Sequence, residues 1–143
     1  MFLGSYTYAI DPKGRLAIPV KFRDEFRSGI FLTRGFDRCL VAYPESVWQQ
    51  MAGEMAGLPV TRSTNRRTAR NLFSNAFDAA LDRQGRVLVP QALRDYAGIT
   101  GSVVIAGQYS YLELWSGELW MAEKSLMDDQ AWQSAEDVEP VRP

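Results

Sequence analysis

Asp11-Pro12-Lys13-Gly14-Arg15-Leu16-Ala17-Ile18-Pro19 returns further along the chain as Asp82-Arg83-Gln84-Gly85-Arg86-Val87-Leu88-Val89-Pro90. Both copies read D-x-x-G-R, then three strand-forming residues, then proline. Each leads on to an apolar-Arg pair, Phe22-Arg23 or Leu93-Arg94. A duplicated block of this length marks a repeated supersecondary unit, and its local chemistry sets what the unit can be. Asp11 suits the first position of a turn, where its carboxylate accepts from a backbone N–H two residues on. Pro12 pre-sets φ at the second position, and Gly14 supplies the positive φ of a bulged hairpin. Gly85 plays that part in the second copy. In the return strands, Arg15 to Ile18 and Arg86 to Val89, period-2 alternation sends Leu16 and Ile18 to one face and Arg15 and Ala17 to the other.

Outward from the blocks, the two halves of the chain match element by element. Tyr6 to Ile10 and Phe77 to Leu81 enter the turns and read as the outgoing arms of two hairpins. Pro19 and Pro90 stand where a short helix begins. Phe22 with Phe26, and Leu93 with Ala97, fall four apart on one helical face, and Gly29 and Gly98 provide the stops. Two strands follow in each copy, Ile30 to Thr33 with Cys39 to Tyr43, and Ser102 to Ala106 with Tyr111 to Trp115. Each unit then closes in a helix, with Trp48 five residues beyond Tyr43 as Trp120 is five beyond Trp115. Val47, Trp48, Met51 and Met55 form an apolar stripe suited to core or subunit contact.

The reading is α+β: two ββαββα repeats, 5–56 and 76–126, joined by a basic helical linker, 57–75. An acidic tail, 127–143, is expected to fray. The linker carries Arg62, Arg66, Arg67 and Arg70 with no acid among them. A unit of about 45 residues buries its own apolar surface poorly, so the two copies should interlock in one compact body about a pseudo-twofold axis. Both D-x-x-G-R turns would then lie on one surface.

Composition excludes whole classes of chemistry. The 143 residues hold no histidine and one cysteine, so there is no Ser-His-Asp relay, Cys-His pair, histidine metal site or internal disulfide. An enzyme is therefore not expected, nor is any cofactor, metal or small-molecule substrate. Cys39, beside Leu40 and Val41, reads as a buried thiol. No leader and no membrane span of about 18 apolar residues is evident, which points to the cytoplasm. The net charge of −1 hides an asymmetry: residues 1–75 hold 11 Lys+Arg against 6 Asp+Glu, and residues 76–143 hold 5 against 11.

For the arginines two readings stand together. A guanidinium beside a glycine turn can take guanine O6 and N7 bidentately, or a phosphate, while the glycine lets backbone approach closely. Equally, Asp11 across from Arg15, and Asp82 across from Arg86, can form local ion pairs that steady the turns.

The opening Met1-Phe2-Leu3-Gly4-Ser5-Tyr6, both boxes with Phe22-Arg23 and Leu93-Arg94-Asp95-Tyr96-Ala97-Gly98-Ile99, and Glu113-Leu114-Trp115 resemble the MraZ family over nearly all of residues 1–126. That resemblance implies two SpoVT-AbrB-like units in a swapped-hairpin, double-split β-barrel. It also implies a ring-shaped homo-oligomer, an octamer or dodecamer, that regulates transcription on nucleoid DNA. Its target would be double-stranded promoter DNA with spaced G-rich direct repeats, upstream of the division and cell-wall gene cluster. On this sequence the implied DNA contacts are Lys13, Gly14, Arg15, Arg83, Gly85 and Arg86, with Asp11 and Asp82 orienting. The competing readings are a ring-forming scaffold without specific DNA binding and an AbrB-like antitoxin, which usually carries one such unit.

Overall fold

A computed structural model describes residues 1–137. The chain folds as α+β with eight strands, four α-helices and one 3₁₀ helix among these residues. In chain order the elements are β1 (Ser5–Ala9), β2 (Arg15–Ala17), the 3₁₀ helix (Val20–Phe26), β3 (Ile30–Arg34), β4 (Leu40–Pro44), α1 (Glu45–Ala56) and α2 (Ser63–Phe73). The second half follows with β5 (Phe77–Ala79), β6 (Arg86–Leu88), α3 (Gln91–Ala97), β7 (Ser102–Gly107), β8 (Leu112–Ser116) and α4 (Gly117–Asp137).

The strands form a six-stranded antiparallel sheet in the order β1-β7-β8-β4-β3-β5 and a separate two-stranded ribbon, β2-β6. Exchanging the repeats maps this order onto itself. The first strand of each repeat pairs with the third strand of the other, β4 meets β8 at the centre, and the ribbon takes one strand from each copy. The expected interlocking is therefore present, while the expected local hairpins are not. β2 does not pair back along β1, nor β6 along β5. The turn is closed by Asp11 N–H to Arg15 C=O at 3.0 Å, and beyond it the arms part to different sheets. Alternation in the sequence specifies which face of a strand is buried but not which strand lies beside it, and here the distant partner wins.

The ribbon's inner face seals the core. Leu16 lies directly opposite Val87, and both are fully buried with Ile18 and Val89. Pro19 and Pro90 sit one residue before their helices, with extended ψ of 136° and 147°, rather than in the first helical turn. Their carbonyls accept from Phe22 and Leu93 and start the turns. The first of these helices is 3₁₀ rather than α, yet Phe22 and Phe26 reach the core as their spacing predicts. Phe2 packs on both, with ring centroids 5.1 and 5.2 Å away.

The closing helices dock through the tryptophans. Trp48 stacks on Phe31 at 5.5 Å and meets Tyr43 and the linker's Phe73, and Trp120 meets Trp115 at 5.8 Å. The linker is helical as expected, held where buried Thr33 donates its Oγ1 hydrogen to the Leu72 carbonyl at 2.8 Å. Arg62 is the residue before α2, and Arg66 donates to the Val60 carbonyl at 2.9 Å, so the basic row is partly engaged in closing its own loop. Residues 127–137 correct the expected frayed tail, because α4 runs unbroken to Asp137. The run Gly117 to Asp137 has no proline, and its Ala, Leu, Met, Glu and Gln are good helix formers. Residues 138–143 of that tail lie outside the described residues.

Candidate nucleic-acid interface

The two D-x-x-G-R boxes have the same geometry. In the first, one carboxylate oxygen of Asp11 accepts from the backbone N–H groups of Lys13 and Arg15 at 3.0 and 2.8 Å. Its other oxygen accepts from Arg15 Nε at 2.6 Å. In the second, Asp82 accepts from Gln84 and Arg86 N–H, both at 2.9 Å, and from Arg86 Nε at 2.9 Å. Each aspartate thus holds the turn and the arginine at once. The backbone N–H of Arg15 keeps the Asp11 carboxyl below the usual carboxylate range, against partial desolvation, with further help from the Arg15 side chain. Arg86 does the same to Asp82. Both carboxylates are therefore ionised at neutral pH and cannot act as proton donors there.

Because the aspartate occupies Nε, the far edge of each guanidinium, Nη1 with Nη2, has no hydrogen-bond partner among the described residues. That edge is itself a bidentate fork. Register in the ribbon puts Arg15 opposite Leu88 and Ala17 opposite Arg86. Residues directly opposite, and residues two apart on one strand, share a face, so both arginines project from the outer face on a diagonal. Such diagonal neighbours stand roughly 7–8 Å apart. The side chains of Arg15 and Arg86 are 38% and 29% exposed, enough to be reached while pinned at one end.

Lys13 and Arg83 are exposed at the two turn tips, which the antiparallel register sets at opposite ends of the ribbon, so only Arg15 and Arg86 are brought together as neighbours. Gly14 and Gly85 are placed differently. Their φ values of +89° and +75° fit the turn requirement, yet both are buried. What lies against each is an arginine of the other repeat. A Cβ on Gly14 would meet the Arg94 guanidinium carbon at 2.8 Å, and a Cβ on Gly85 would collide with Arg23. The glycines therefore admit a guanidinium of the protein, which corrects the expectation that their backbone is offered to an outside ligand.

Arg23 and Arg94 are the residues that sequence reasoning passed over. Arg23 Nε donates to the Ile18 carbonyl at 2.8 Å and Arg94 Nε to the Val89 carbonyl at 2.9 Å. Each guanidinium thus ties the end of its own return strand and roofs the other repeat's turn. The signal was present in the pairs Phe22-Arg23 and Leu93-Arg94, which recur at one distance from each box. The lock is completed by backbone bonds from Val89 N–H to Gly14 C=O at 2.8 Å and from Ile18 N–H to Gly85 C=O at 2.9 Å.

Away from the ribbon, Cys39 is buried as expected, its thiol 3.6 Å from Glu113 Oε2. Burial, then the Glu113 charge, pushes the thiol up to about 12, so it is protonated and a poor nucleophile. Among the described residues there is no group of three or more His, Cys, Asp or Glu able to hold a metal, and no helix is long and apolar enough to cross a membrane.

Fold and site together define a two-repeat α+β protein whose intertwined halves present a pair of aspartate-oriented arginines on one β-ribbon. The family model described as "MraZ protein, putative antitoxin-like" matches the chain twice, over residues 1–71 and 72–137. The chain belongs to the MraZ family. It is 46% identical over 142 residues to the transcriptional regulator MraZ of Roseiflexus castenholzii, covering 99% of each chain. It is 45% identical to that of Herpetosiphon aurantiacus over 96% of each, and 39% identical to that of Frankia alni over 98% of each.

Proposed function

We propose that this chain is a transcriptional regulator that binds double-stranded DNA sequence-specifically through the outer face of the β2-β6 ribbon. The observation that carries the reading is the arginine pair, each fixed at Nε by its aspartate and each with an Nη fork on one face that has no partner among the described residues. A two-stranded ribbon fits the major groove, where guanine O6 and N7 accept such a fork. Lys13 and Arg83 at the tips hold phosphate, which positions the ribbon without reading sequence. The aspartates lower the entropy lost on binding by fixing the arginines beforehand.

One ribbon makes few contacts, so affinity comes from several chains acting together. A ring-shaped homo-oligomer, octamer or dodecamer, on spaced G-rich direct repeats gains about 10²–10⁴ in avidity when subunit and repeat spacing agree. In this proposal the interlocked repeats are the swapped-hairpin, double-split barrel of the family, and the target lies upstream of the division and cell-wall gene cluster, which sets the protein on the nucleoid in the cytoplasm. The names of the relatives, transcriptional regulator MraZ, support the regulatory role.

The test is a gel shift on the fragment upstream of the protein's own gene, repeated at rising salt. Phosphate contacts give a negative slope of log affinity against log salt. Arg15→Ala should abolish retardation while sedimentation shows the assembly unchanged. Undiminished binding by a correctly assembled Arg15→Ala protein overturns the proposal. Salt-insensitive or absent binding by the wild type favours the scaffold or antitoxin reading.

A further inference from the structure

We infer that Leu88 is a base-reading residue, taking the 5-methyl group of a thymine next to the guanine read by Arg15; this rests on the DNA-reading role proposed above. Single exposed leucines are ordinary on protein surfaces. This one is set apart by its position. It lies between Val87 and Val89, both fully buried, yet is itself 58% exposed. In the ribbon it stands directly opposite Arg15 and two residues along its own strand from Arg86, on the face that carries both arginines.

In the major groove the thymine methyl is the apolar group that a side chain can recognise on a base edge. Cross-strand neighbours have Cβ atoms about 4.5–5.5 Å apart, and stacked bases rise about 3.4 Å per step. An isobutyl group beside Arg15 therefore meets the base pair one or two steps from the guanine. At the other end of the pseudo-twofold, Ala17 occupies the equivalent place opposite Arg86 and ends at Cβ, too short for that reach. The two ends of the ribbon thus read differently: guanine with an adjacent thymine at Arg15, guanine alone at Arg86. That difference gives a nearly symmetric reading head a direction on the duplex.

The experiment uses the full chain. A preferred duplex is selected from a random pool with the wild type, and each thymine in it is then replaced singly by deoxyuridine, which removes the methyl and keeps the base pairing. One replacement should weaken wild-type binding about fourfold, the worth of one buried methyl-sized group. The same replacement should leave Leu88→Ala unaffected, and Leu88→Met should regain the sensitivity. If no thymine is sensitive, or Leu88→Ala is equally sensitive, the assignment is wrong. Enrichment of no duplex refutes the DNA-reading role itself, whereas an enriched, Arg15-dependent duplex indifferent to deoxyuridine refutes Leu88 alone.

Discussion

Gly14→Ala tests the contact that joins each turn to the opposite repeat. Two costs are separable. An L-residue at φ +89° pays left-handed strain, about 1–2 kcal/mol. The added Cβ would also stand 2.8 Å from Arg94 Cζ and 2.9 Å from its Nε and Nη2, closer than real Cβ atoms come. The guanidinium must swing away, losing its 2.9 Å bond to the Val89 carbonyl, and a hydrogen bond from a charged donor is worth about 1.5–3 kcal/mol. The expected loss is about 2.5–5 kcal/mol, the sum of those terms. In an Arg94→Ala background the steric part vanishes and only strain remains. Urea unfolding of wild type, both single variants and the double variant, at one protein concentration because self-association shifts apparent stability, gives the coupling directly. It should be about 1.5–3 kcal/mol; single effects that add to within about 0.5 kcal/mol refute the contact. The Gly85 and Arg23 pair should couple with the same sign.

Two further outcomes follow from the same geometry. Asp11→Asn keeps an oxygen for the Lys13 and Arg15 N–H groups but turns an amide donor toward Arg15 Nε, so the fold should persist while Arg15 swings free. DNA affinity should fall about two- to tenfold, the cost of ordering one long side chain on binding; a titration showing wild-type affinity would remove the orienting role. Burial raises Cys39 and Tyr43 each to about 12 from ordinary values of 9.0 and 10.0. Both keep their protons in the fold above the pH at which the unfolded chain releases them, so the stability they contribute is complete below pH 9.0 and is lost as pH rises towards 12. Urea midpoints measured from neutral to alkaline pH check this, and a midpoint that does not decline above pH 9.0 contradicts it.

Much of the local structure was legible because it is encoded within a few residues. The Asx turns, the positive-φ glycines, the buried Leu16 and Ile18 face and the five-residue aromatic spacing all follow from short-range rules. What the chain order hid were partners. Tyr6 to Ile10 alternates as a strand, but nothing in it names β7 over β2, since period 2 specifies a face and not a neighbour. Gly14 meeting Arg94 was hidden for the same reason: a glycine at φ > 0 explains itself locally, so a second demand on the same missing Cβ leaves no extra mark. Leu88 was overlooked because three apolar residues in a row, Val87 to Val89, look uniformly buried; alternation sets Leu88 on the Arg86 face, but only the register puts it opposite Arg15.

The pairing of β1 with β7 also bears on how the protein is made. Ser5 pairs with Ala106 and Ala9 with Ser102, so β1 is synthesised nearly a hundred residues before its partner strand. At about 5–20 residues per second this is several seconds or more. During that interval the first repeat exposes the edges that the second will cover. A chain synthesised beside another on a crowded message therefore spends that interval with a neighbour's finished second repeat as a rival partner for the same edges.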